Sequence, residues 1–134
     1  MKAIYFVHDQ LENPFLRQHF LESSGYHVVA MGSGQRCLDL CAERVPSLVL
    51  MDVLIEGRNG FEICRALRKR FAPDELPVIL CSEVYRSRLF RDEAISAGAQ
   101  RYLLKPLRLD ELVREVSQAL QGGAAGRTNG PAAA

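Results

Sequence analysis

Short apolar runs alternate with longer stretches in which apolar residues recur at helical spacing. Runs of strand length, rich in β-branched and aliphatic residues, occur at 3–7 (AIYFV), 27–30 (HVVA), 48–51 (LVLM), 78–81 (VILC) and 101–104 (RYLL). In the first stretch between them, Asn13 reads as an N-cap, Pro14 as the first helical residue, Leu16, Phe20 and Leu21 as the inner face, and Gly25 as the stop. Residues 34–44 set Cys37, Leu38 and Cys41 on one side before Pro46, and 60–71 do the same with Phe61, Cys64, Ala66 and Leu67. Residues 86–97 carry Leu89, Phe90 and Ile95 among Arg86, Arg88 and Arg91 and stop at Gly98. Residues 109–120 turn Leu112, Val113, Val116 and Leu120 inward. Five strands alternating with five helices predict an α/β fold, a doubly wound five-stranded parallel sheet.

Composition narrows this picture. The 134 residues suit one domain. We assign 1–121 to it and read 122–134 (GGAAGRTNGPAAA), which has no periodicity and nothing to bury, as a flexible Gly/Ala-rich tail or linker. With 17 Lys and Arg against 16 Asp and Glu, the whole chain has no electrostatic pull toward nucleic acid or an anionic membrane. The run at 3–7 is too short, and too soon followed by His8 and Asp9, for a signal peptide or a membrane span, so the expected location is the cytoplasm. The four cysteines (Cys37, Cys41, Cys64, Cys81) form no CxxC pair and read as reduced core thiols. Cys37 and Cys41 share a helix face and would need a histidine to complete a metal site.

The candidate chemistry lies at strand ends. In an open parallel sheet, ligands gather outside the carboxyl ends of the strands, near the switch in strand order. Asp52 directly follows the third run, Asp9 closely follows the first, Ser82 the fourth and Lys105 the fifth. Two close carboxylates repel, and a hard divalent cation such as Mg2+ relieves that repulsion. A carboxylate can attack phosphorus to form an acyl phosphate, whose oxygens then need donors of the kind that Lys105 and the Ser82 hydroxyl supply.

These residues resemble the receiver domain of two-component response regulators, in particular single-domain, chemotaxis-regulator-like receivers. The resemblance covers residues 2 to about 120 and rests on "VHDQ" at 7–10, "LVLMDVLIEGRNGFEICRALR" at 48–68, "PVILCSE" at 77–83 and "GAQRYLLKPL" at 98–107. It implies a (βα)5 flavodoxin-like sheet order and a signalling module rather than an enzyme. It also implies phosphorylation of Asp52 by a histidine kinase or phosphotransfer protein, with Mg2+ required. By position, Asp9, Asp52 and the Leu54 backbone carbonyl match the family's metal ligands, Ser82 its phosphate-sensing hydroxyl, and Lys105 its phosphate-binding lysine. Tyr102 matches the aromatic that turns inward on activation, and Lys105-Pro106 matches a cis peptide. A downstream protein would be met through the face made by the fourth helix, fifth strand and fifth helix, where Arg86, Arg88, Arg91 and Arg101 suggest an acidic partner.

Other positions depart from the family. His8 stands where the first of two adjacent acids is usual, which removes a negative charge from the metal site and admits a softer divalent ion as a substitute. Glu56 and Glu83 replace residues that are commonly Pro and small; they read as loop charge, as water-mediated replacements for the lost acid or, for Glu83, as an obstacle to the phosphoryl group. Leu54 and Val84, each two past a key residue, offer no polar group to orient a hydrolytic water, so an acyl phosphate here should be long-lived.

Two functions stay open: a phosphorylatable receiver, and a degenerate (pseudo) receiver that acts as a phosphorylation-independent interaction module. A flavin- or nucleotide-binding enzyme is disfavoured because the turn "VHDQLENP" lacks a glycine-rich phosphate loop. These 134 residues leave no length for a DNA-binding output domain after a full receiver, so the chain acts either alone, by binding partners, or as the receiver of something longer, and no direct nucleic-acid binding and no membrane contact are expected of it.

Overall fold

The structure, a computed structural model, describes residues 1–122 and 127–128. Five strands, β1 (Ala3–Val7), β2 (His27–Met31), β3 (Leu48–Asp52), β4 (Val78–Ser82) and β5 (Arg101–Leu104), alternate with five helices. The helices are α1 (Phe15–Ser23), α2 (Gly34–Glu43), α3 (Gly60–Arg68), α4 (Arg88–Ala97) and α5 (Leu109–Leu120). All strands pair in parallel in the order β2-β1-β3-β4-β5, the flavodoxin-like receiver arrangement. A two-residue strand, β6 (Arg127–Thr128), adds beside β5 within the stretch read as a tail, and the rest of that stretch beyond Gly122 lies outside the described residues. No helix among the described residues is long and apolar enough to cross a membrane.

Every residue of β3 and β4 is buried, as strands covered on both faces must be. One side of the sheet holds Ile4, Phe6, Leu50, Ile79 and Leu103 against Leu21 of α1 and Leu112 and Val116 of α5. The other holds Val7, Met51 and Leu80 against Cys37, Cys41, Ile63, Cys64, Leu67 and Ala94 of α2, α3 and α4. All four cysteines are buried and none is in a disulfide.

Three expectations need correction. In α1 Leu16 is 63 % exposed and Phe20 is also exposed; the inner stripe is Arg17 and Leu21, one turn apart. In α4 Leu89 and Ile95 face outward, while Phe90, Ala94 and Ala97 turn to the core, because the small alanines let the helix lie close to its neighbours. Arg101 does not belong to an exposed arginine cluster. It is 0 % exposed, and its Nε lies 3.2 Å from Glu115 Oε1 on α5. Arg86 and Arg88 are exposed and Arg91 is half-buried.

Helix bounds shift little. The first helix starts after Pro14, with Asn13 Oδ1 accepting from the Phe15 N–H at 2.9 Å, and the third stops at Arg68, before the predicted 71. Asn59 and Glu62 form a reciprocal capping box that starts α3. Gly60 is required there: a Cβ would lie 2.9 Å from both the Asp52 carbonyl oxygen and Val53 Cα. The close approach it allows seats α3 against the end of β3. Gly57, at φ +83°, provides the turn just before it.

Candidate functional site

The switch in strand order falls between β1 and β3, and the side chains at the carboxyl ends of β1, β3, β4 and β5 meet there. Backbone pairing continues past the strands, with His8 N–H to Met31 O, Val53 N–H to Cys81 O and Lys105 N–H to Ser82 O, each at 2.9 Å. These bonds fix where Asp9, Asp52 and Lys105 emerge. Asp9, Asp52, Ser82, Lys105, Leu54, Glu83 and Val84 line one pocket together with Glu12. The free space among them is about 10 Å3, about enough for one water.

Asp52 is 2 % exposed and its carboxylate is densely bonded. Oδ2 accepts the Asp9 N–H at 2.8 Å. Arg17 reaches down from α1 as a two-pronged fork, Nη1 to Oδ1 at 2.8 Å and Nη2 to Oδ2 at 3.0 Å. Lys105 Nζ stands 3.3 Å from Oδ1. Glu12 ties the two cations together: its Oε1 and Oε2 accept from Lys105 Nζ at 2.9 and 2.8 Å, and Oε2 also accepts from Arg17 Nη2 at 3.2 Å. The Arg17 guanidinium lies 4.6 Å from the centre of the buried Phe6 ring, which supports it from below.

The pKa shifts follow from these contacts. Burial alone would raise the Asp52 carboxyl, but the Arg17 hydrogen bonds and charge, with Lys105 and the Asp9 N–H, hold it below its ordinary value. Burial opposes charge on Arg17 and Lys105 as well, and in each case the facing carboxylates outweigh it, so both cations are held more firmly than usual.

Ser82 and Tyr102 lie on the far side of the pocket. The Ser82 hydroxyl oxygen accepts from the Val84 and Tyr85 N–H groups at 3.2 and 3.1 Å. Tyr102 is 1 % exposed, its ring 6.2 Å from Phe61, and its hydroxyl donates to the Tyr85 carbonyl oxygen. Burial pushes its pKa up to about 12, with a hydrogen bond to Ser82 opposing the rise. Tyr102 thus takes the inward position that the resemblance associates with activation. The Lys105-Pro106 peptide is cis.

The atypical residues separate. His8 does not line the pocket; its Nδ1 is 3.2 Å from the Asp9 carbonyl oxygen and its ring meets Phe6 edge-on at 5.7 Å. Glu56 is bonded to Gln10 Nε2 at 2.8 Å and lies outside the pocket lining. Glu83 lines the pocket and is exposed. The acid that does enter is Glu12, which sequence reasoning missed along with Arg17. The available signal was register: residue 17 precedes the buried Leu21 by one turn.

As arranged, the Asp52 carboxylate does not fit the Mg2+ that the resemblance implies, because both of its oxygens already face donors of the chain. Asp52 has donors on both oxygens, Asp9 Oδ1 accepts the Leu11 N–H at 2.9 Å, and two cations of the chain already face Asp52. No group of three or more His, Cys, Asp or Glu side chains among the described residues is arranged to hold a metal ion. That also leaves Cys37 and Cys41 without a metal site.

Comparisons with known proteins agree with the architecture. The response regulator receiver domain model matches residues 4–117. The BeF3-activated N-terminal receiver domain of RstA from Klebsiella pneumoniae is 28 % identical, with 89 % of this chain and 98 % of that one covered, at a TM-score of 0.80. A signal receiver domain of a signal transduction histidine kinase from Syntrophus aciditrophicus is 26 % identical, with 91 % and 92 % covered, at 0.79. The chemotaxis response regulator CheY4 of Vibrio cholerae, at 22 % identity, 89 % and 98 % coverage and 0.80, shares the fold. With a family match over most of its length and a pocket at the expected strand ends, the chain belongs to the response regulator receiver domain family.

Proposed function

We propose that the chain is a receiver in phosphorelay signalling, in which Asp52 takes a phosphoryl group from a phosphohistidine of a histidine kinase or phosphotransfer protein. An Asp52 carboxylate oxygen forms the new bond to phosphorus as the phosphorus–nitrogen bond breaks, and the histidine leaves to be protonated. Lys105 and the Ser82 hydroxyl bind the transferred group's oxygens, and Tyr102, bonded to Ser82's loop, carries the change to the α4, β5 and α5 surface and its protein partner. The observation that supports this reading is the convergence of Asp52, Ser82 and Lys105 in one pocket at the ends of three adjacent strands. With Leu54 and Val84 apolar at the mouth, the acyl phosphate is lost slowly.

Intact-protein mass after incubation with phosphoramidate or acetyl phosphate tests it. A gain of one phosphoryl group that Asp52→Asn abolishes, and that persists for minutes or longer after donor removal, is expected. An equal gain in Asp52→Asn would overturn the assignment, and loss within seconds would overturn the slow-release reading. A second reading, a receiver that binds its partner without phosphorylation, is favoured by the Arg17 fork, which closes both Asp52 oxygens. It predicts no mass gain, with partner binding unchanged in Asp52→Asn.

A further inference from the structure

We propose that Arg17 is the resident cation of the Asp52 pocket: its guanidinium occupies both carboxylate oxygens, so a divalent metal reaches Asp52 only when Arg17 withdraws. The fork geometry is the main support. Two near-parallel bonds of 2.8 and 3.0 Å match the pairing that a guanidinium makes best with a carboxylate. A carboxylate has about four acceptor positions. Here Oδ1 faces Arg17 and Lys105, and Oδ2 faces Arg17 and the Asp9 N–H.

Burial separates this contact from a surface ion pair. The Arg17 side chain is 12 % exposed and that of Asp52 2 % exposed, so the pair is little screened by solvent. Arg17 also sits on the same helix stripe as the fully buried Leu21, over the Phe6 ring, which fixes its direction toward the sheet. Charge at Asp52 points the same way: its carboxylate is paired with both Arg17 and Lys105, which Glu12 bridges, while Asp9 and Glu83 line the pocket beside them. A divalent cation brought within about 4 Å of these two cations is repelled by them. Space agrees, since about 10 Å3 remains free and a hydrated metal ion needs room for several waters.

Withdrawal has a defined route. Glu12 already accepts from Arg17 Nη2, so the guanidinium can turn off Asp52 while it keeps a carboxylate partner. Apparent metal affinity is then the intrinsic affinity multiplied by the fraction of molecules with Arg17 withdrawn, and removing Arg17 lifts that reduction.

The test uses Mn2+ as the probe on the whole chain, with free ion read by electron paramagnetic resonance and the site located by broadening of amide signals. Arg17→Met and Arg17→Gln are expected to bind Mn2+ about tenfold or more tightly than wild type, with broadening centred on Asp9 and Asp52 that Asp52→Asn removes. Affinities equal to wild type, no binding in either variant, or broadening elsewhere would overturn the proposal. Wild type supplies a check that needs no variant to fold: the fork should hinder rotation of the Arg17 guanidinium, giving separate Nη signals, and free rotation would count against it. The inference does not depend on the phosphoacceptor reading, because these measurements use no phosphodonor and the mass experiment uses no metal titration.

Discussion

Burial by itself raises a carboxyl pKa, yet Asp52, almost without solvent contact, is held below its ordinary 3.8. The difference comes from Arg17 and Lys105 on one side and the Asp9 N–H on the other. A carboxyl that binds its proton more weakly in the folded than in the unfolded chain stabilises the fold at pH values above 3.8. That contribution disappears as pH falls below 3.8 through the lower folded value. The gap in unfolding free energy between wild type and Asp52→Asn, measured in urea, should therefore be flat near neutral pH and shrink once pH drops below 3.8. Its sign at neutral pH tells a second thing. Asn cannot balance Arg17 and Lys105, so wild type should be the more stable by about 1–3 kcal/mol, the usual cost of leaving a buried partner unsatisfied. A gap that stays constant into acid would mean that Arg17 does not hold the carboxylate in solution.

Elements are joined by a second buried pair, between Arg101 at the start of β5 and Glu115 in the middle of α5, with side chains 0 % and 4 % exposed. Removing one partner takes away a buried counter-charge, so Arg101→Met or Glu115→Leu should each cost about 3–5 kcal/mol. The double variant Arg101→Met with Glu115→Leu should recover most of that loss, because an apolar pair of similar volume has no charge to desolvate. Urea midpoints of the three variants decide it, and additive losses would show that the two side chains do not interact. Both ion pairs explain where the sequence was readable and where it was not. The strands were legible because a strand covered on both faces must be a continuous apolar run, as Leu48 to Met51 and Val78 to Cys81 are. Residues 109–120 were legible because Leu112, Val116 and Ala119 repeat at helical spacing. The α1 face was not, since Leu16 and Phe20 are apolar and outside while a charged residue is inside. What turns Arg17 inward is a carboxylate 35 positions away, which no local periodicity reports. Asp9, Asp52, Ser82 and Lys105 could be gathered from strand ends alone, whereas Glu12 sits in a loop whose direction only the folded chain defines.

At the scale of the whole molecule, the pocket stands on the most deeply enclosed part of the sheet and is closed from above by its least enclosed parts. β1, β3 and β4 have a parallel neighbour on each side, and α1 with α5 cover one face while α2, α3 and α4 cover the other. Freeing an amide of β3 or β4 means stripping helices from both faces, which is unfolding itself. β2 lies at an edge, with His27 exposed and Val29 and Ala30 only half-buried, so a smaller opening suffices there. Native-state hydrogen exchange should then show Leu50, Met51, Ile79 and Leu80 exchanging with the full unfolding free energy, and β2 amides at least about tenfold faster. The loop residues beside Asp9 and Ser82 should exchange fastest: Leu11 and Val84, whose N–H groups bond to side chains, the Asp9 carboxylate and the Ser82 hydroxyl, lie outside any helix or strand. Such a gradient would keep Asp52 fixed while the groups around it rearrange, which is what a site that exchanges one cation or anion for another requires. If the β3 and β4 amides instead exchange through openings insensitive to denaturant, the floor of the pocket is itself mobile, and a rigid Asp52 gated by Arg17 is the wrong description.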